Sequence, residues 1–67
     1  MRVKFMLRVE ADDARASVGY TNRGLYALYV DGDGHRAFRW LHASQVAGLI
    51  AKLTRWGELR GGRVIRG

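Results

Sequence analysis

Residues 25–53 read LYALYVDGDGHRAFRWLHASQVAGLIAKL, and a change of period inside this stretch decides the fold. Leu25 to Val30 is apolar on both faces of an extended chain, the pattern of a central strand. Asp31-Gly32-Asp33-Gly34 is the strongest hairpin signal in the chain, because Asp and Gly supply the backbone angles of a tight turn. Arg36 to Leu41 then alternates, with Phe38 and Trp40 on one face and Ala37, Arg39 and Leu41 on the other. Beyond His42 the period lengthens. Val46, Leu49, Ile50 and Leu53 fall at i, i+3, i+4 and i+7, the stripe of an amphipathic helix. Ser44 is the expected N-cap, and Gly57, after Trp56, the expected left-handed C-cap. Gly48 costs this helix about 1 kcal/mol relative to alanine and leaves room for a second helix or a sheet to approach.

Towards the N-terminus the alternation continues. Val3, Phe5, Leu7 and Val9 fall on one face, and Lys4, Met6, Arg8 and Glu10 on the other. Ala11, Asp12 and Asp13 read as a turn, followed by a weaker strand with Ala16, Val18 and Tyr20 on one face. Thr21 to Gly24 forms the next turn. The expected fold is therefore α+β, a four-stranded antiparallel meander followed by one amphipathic helix. Residues 1–57 make this single domain. Residues 58–67 form a basic Gly/Arg segment around Val64 and Ile65, either a flexible tail or a short last strand. One helix covers only one face of a sheet, so the other is left for solvent, a partner or a ligand.

Sixty-seven residues allow a thin core, burying only roughly 60% of the unfolded surface. The chain has no cysteine, which excludes disulfides and thiolate zinc sites, and its two histidines cannot close a metal site alone. Self-association is the remaining usual remedy, and a homodimer is expected. No apolar run is long enough to span a membrane, and the run from Val3 to Leu7, broken by Lys4, is too short for a signal-peptide core. A cytoplasmic protein without a cofactor is expected.

Charge is unevenly distributed. Residues 1–34 hold five basic and five acidic side chains, whereas residues 35–67 hold seven basic ones against Glu58 alone. Ten of the twelve basic residues are arginine, suited to bidentate contacts with phosphate or carboxylate. This asymmetry points to a polyanion or an acidic protein surface.

No motif carries chemistry. Asp31 to Gly34 begins like a calcium loop, but the third ligand position falls on His35 and the bidentate position on His42. Asp12/Asp13 and Asp31/Asp33 lie in turns, and neither Ser17 nor Ser44 has a motif that would activate it. A non-enzymatic protein is expected. Aromatic and basic residues interleave on the third and fourth strands: Tyr26, Tyr29, Arg36, Phe38, Arg39 and Trp40. Rings stack on unpaired bases at about 1–3 kcal/mol per base while arginines hold the intervening phosphates. Arg60-Gly61-Gly62-Arg63 resembles an arginine-glycine box or a loose turn, within a segment that also carries Lys52, Arg55 and Arg66. The candidate nucleic-acid-binding residues are Tyr26, Arg36, Arg39, Trp40, Lys52, Arg55, Arg60, Arg63 and Arg66.

The order of elements resembles the single-strand DNA-binding domain of the positive-cofactor-four type transcriptional coactivators and their bacterial and phage relatives. The closest local likeness is Leu41-His42-Ala43-Ser44-Gln45-Val46 with Leu49 and Leu53, a strand ending in leucine before a helix start with glutamine. The Asp31–Gly34 turn stands where that family has its acidic-glycine turn. The resemblance is one of pattern over residues 3–55. Arg39 departs from an aliphatic position, Val46 from a helix aromatic, and the basic C-terminal segment has no counterpart. It implies a dimer through the helices and a sheet surface that cradles single-stranded nucleic acid.

The reading that follows is a small nucleic-acid-binding protein of a bacterium or its phage, acting on single-stranded or deformed DNA or RNA, for instance in transcription regulation. The alternative is a phage-type inhibitor or adaptor whose basic face docks on a host polymerase, nuclease or defence complex.

Overall fold

In the computed structural model, which describes residues 3–32 and 34–67, the chain forms an α+β domain. The elements are β1 (Val3–Ala11), β2 (Ala14–Thr21), β3 (Tyr26–Gly32), β4 (His35–Leu41), α1 (Ala43–Leu59) and β5 (Arg63–Arg66). The meander and the helix are as the sequence implies. The C-terminal segment is the short-strand alternative: β5 pairs antiparallel with β1, so the sheet order is β4-β3-β2-β1-β5.

Each hairpin follows from its turn residues. Asp12 and Asp13 close the first with φ of 51° and 61°, the left-handed pair that matches the twist of adjoining strands. Thr21 organises the second: its hydroxyl oxygen accepts from the Arg23 and Leu25 amides at 3.2 Å each. Leu25 therefore belongs to the turn, and β3 begins at Tyr26. In the third, Gly32 pairs with His35 across two residues, as the Asp-Gly signal requires, although Asp33 itself lies outside the described residues.

The helix ends differ from expectation. His42, not Ser44, is the N-cap, and its amide donates to Gln45 Oε1 at 3.0 Å. Gly57 does not end the helix. It is buried within α1, where a Cβ would overlap Val9 Cγ1 and touch Val64 Cγ2 at 3.4 Å. A hydrogen in place of a side chain thus lets the helix axis lie close to β1 and β5. The stop comes at Gly61, whose φ of 63° permits bonds from Gly61 N–H to the Glu58 carbonyl (3.2 Å) and from Gly62 N–H to the Gly57 carbonyl (2.8 Å). Gly48, expected at a close approach, has no neighbour within 4 Å of a built Cβ.

α1 packs on β1, β5 and β2. Leu7, Val9 and Val18 are fully buried on the sheet side of this layer, with Ala11 and Ala16 also buried, and Val46 is the buried apolar side chain that α1 contributes. One expected face assignment fails. The β1–β2 register shifts between Phe5 and Leu7, so Phe5 pairs with Gly19 but Leu7 pairs with Val18. This bulge turns Phe5 and Val3 away from the helix, onto the face of Arg8 and Glu10. Gly19 accommodates it, since a Cβ there would stand 2.8 Å from the Lys4 carbonyl oxygen.

Candidate nucleic-acid interface

The register fixes what the uncovered face carries. Side chains opposite each other in an antiparallel pair share a face, so Phe38 and Tyr29 lie with Ser17, Trp40 lies with Ala27 and Gly19, and Arg36 lies with Asp31 and Arg15. Across β1 and β5 the same face continues through Arg8, Glu10, Arg63 and Ile65. A shallow pocket of 220 Å³ on this surface is lined by Arg8, Arg15, Ser17, Tyr29 and Asp31.

Four rings stand on this face without a layer above them. Phe5 is 39% exposed, Tyr29 40%, Trp40 53% and Phe38 55%. Phe38 and Trp40 meet edge to face, with centroids 5.0 Å apart and planes at 88°. The smaller residues between the rings are covered: Ala27, Gly19 and Thr21 are buried although they belong to the open side. Large exposed rings on a sheet with small residues between them offer π-faces at strand spacing, the arrangement on which unpaired bases stack.

Four arginines, Arg8, Arg15, Arg36 and Arg63, share the face with two carboxylates, Glu10 and Asp31. Asp31 pairs with Arg15 at 3.3 Å and lies 3.8 Å from Arg36. The arginines of both pairs are well exposed while the shared Asp31 carboxylate is half-buried, so each is a weak ion pair at the surface. Arg8 lies over the Phe5 ring at 5.1 Å.

The expected site residues do not form one surface. Arg36, Trp40 and Arg63 are on the open face. Tyr26 and Arg39 are on the helix side, Tyr26 against Tyr20 with centroids 6.3 Å apart. Arg39 and Lys52 line a 320 Å³ groove between α1 and β4, floored by Leu28, Leu41 and Leu49. Arg66 is opposite Leu7, on the helix side of β5, and Arg55 is exposed on α1. Arg60 is occupied structurally: it pairs with Asp12 at 3.2 Å and lies over the Trp56 ring at 5.2 Å, tying the helix end to the first hairpin.

Phe5, Arg8 and Arg15, absent from the sequence candidates, belong to the face. Arg8 and Arg15 come from the half of the chain with no net charge, and Phe5 reaches it only through the bulge. Gly19, a residue that weakens a strand interior, is the one sequence signal that marks an irregularity opposite it.

Among the described residues no three His, Asp or Glu side chains gather as metal ligands do, and no helix is long and apolar enough to cross a membrane. No family model matches the chain, and comparison with curated proteins and with solved structures finds no match.

Proposed function

We propose that the open face of the sheet binds single-stranded or locally unpaired nucleic acid, as a binding module with no chemistry of its own. One observation carries this reading: Tyr29, Phe38 and Trp40 are exposed together on the helix-free face, beside Arg15 and Arg36. Bases stack on the rings, and the arginines draw the phosphates between them. A duplex keeps its bases stacked inside and offers this face only phosphates, so single strands are preferred. The resemblance to positive-cofactor-four type domains points the same way, since a sheet surface is the binding surface implied there.

The test is a fluorescence titration with short oligothymidine and with duplex of the same length. Trp40 is the more exposed of the two tryptophans, so stacking quenches the emission. If the four arginines of the face each neutralise one phosphate, log affinity falls against log salt with a slope of about −3 for a single strand. Absence of binding at low salt contradicts the proposal. Tighter binding to duplex than to single strand contradicts the stacking part of it.

A further inference from the structure

β4 is an edge strand, and every residue in it is exposed except the half-buried Leu41. The opposite edge, β5, has four residues bounded by Arg63 and Arg66, the short and charged form that blunts an edge. β4 carries the charges of Arg36 and Arg39 but is otherwise unprotected: it runs seven residues in unbroken register with β3, without proline or bulge.

The direction of its backbone groups follows from the hairpins. Ala11 and Ala14 flank a two-residue turn, so Ala14 exchanges its hydrogen bonds with β1. Alternation then turns Arg15 towards β3, Gly32 towards β4 and His35 back towards β3. Along β4, the amides of Ala37 and Arg39 serve the β3 ladder. Those of Arg36, Phe38 and Trp40 point out from the free edge.

We propose that this edge is the docking site for a second copy of the chain, β4 running antiparallel to the partner's β4 about a two-fold axis at Phe38. In this register all seven residues pair, the open faces coincide, and no arginine meets an arginine. Arg36 stands opposite the partner's Trp40, a cation beside an exposed ring. Arg39 stands opposite the partner's Ala37, and His35 opposite the partner's Leu41. Moving the axis to Arg39 sets that residue against the partner's Arg39. Moving it to Ala37 sets His35 against the partner's Arg39 and leaves Trp40 and Leu41 unpaired. The contact is self-complementary and closes at two copies. It joins the two sheets into one ten-stranded surface with the rings of both copies at its centre.

This pairing goes beyond the nucleic-acid reading and stands without it, since it is tested on the protein alone. Sedimentation equilibrium from micromolar to millimolar concentration is expected to show mass rising from 7.6 kDa to twice that value. Ala37→Arg sets a guanidinium against the partner's Arg39 in both symmetry-related pairs and raises the dissociation midpoint about tenfold. Adding Arg39→Glu to that chain turns both repulsions into opposite-charge pairs and restores the dimer. Hydrogen exchange on the unaltered chain supplies a readout that needs no variant. The amides of Arg36, Phe38 and Trp40 exchange more slowly as concentration rises. A single-chain mass throughout, growth beyond two copies, a dimer indifferent to both substitutions, or those three amides unprotected in the dimer overturns the proposal.

Discussion

Two glycines in one helix make opposite predictions. At Gly48 a built Cβ has no neighbour within 4 Å. Alanine there removes the glycine penalty of about 1 kcal/mol with no steric consequence. At Gly57 the same substitution gains the same propensity but drives a methyl group into Val9 Cγ1 and against Val64 Cγ2. Val9 is fully buried between Leu7 and Ala11 on the strand that α1 covers, so it has no free volume to move into. Overpacking of this kind costs about 1–3 kcal/mol. Gly57→Ala therefore comes out between neutral and about 2 kcal/mol destabilising, while Gly48→Ala is stabilising by about 1 kcal/mol. The difference between the two variants isolates the helix–sheet contact. Urea denaturation followed by circular dichroism reads both, and in a domain of this size 1 kcal/mol moves the thermal midpoint by about 4–8 °C. If Gly57→Ala stabilises as much as Gly48→Ala, the helix does not lie against Val9 and the packing of α1 is wrong.

Gln45→Ala removes the acceptor for the His42 amide and is expected to cost about 0.5–1 kcal/mol in the same denaturation experiment, whereas Ser44→Ala, at a residue that caps nothing, is near neutral. Arg36→Ala and Arg60→Ala separate arginines by their surroundings. Arg36 is on the open face, and its loss flattens the oligonucleotide salt slope by about 0.7, whereas Arg60, held by Asp12 and Trp56, leaves the slope unchanged when removed. Arg60→Ala instead lowers stability slightly, by about 0.5–1 kcal/mol, by untying the helix end from the first hairpin.

Much of this arrangement is legible in the residues alone. Period-two alternation places β1, β2 and β4, an apolar run on both faces places β3, the Asp-Asp, Asn-containing and Asp-Gly turns separate them, and the spacing of Val46, Leu49, Ile50 and Leu53 places α1. Alternation within β4 also settles that Phe38 and Trp40 oppose Arg39. What escapes a linear reading is set by pairing between distant segments. Phe5 continues a perfect alternation with Leu7, and only the register shift against β2 moves it to the other face. Val64 and Ile65 are too short a pair to declare a strand, and become one because β1 has an edge to offer. Gly57 looks like a helix stop, since the sequence does not show that β1 and β5 lie against it. Charge misleads similarly. The basic half of the chain scatters over both sides of the molecule, while Arg8 and Arg15 from the neutral half join the open face.

The central claim is that the exposed rings of that face hold unpaired bases. Its most direct test is the affinity for a short oligothymidine of a chain carrying Phe38→Leu and Trp40→Leu together, read by anisotropy of a labelled strand. Leucine keeps an apolar side chain over the sheet and removes the stacking surface. With each lost stack worth about 1–3 kcal/mol, the double variant is expected to bind at least about 25-fold more weakly while its denaturation midpoint changes little and its salt slope stays the same. Unchanged affinity in a folded double variant contradicts the claim, and leaves the charge on this molecule in search of a different partner.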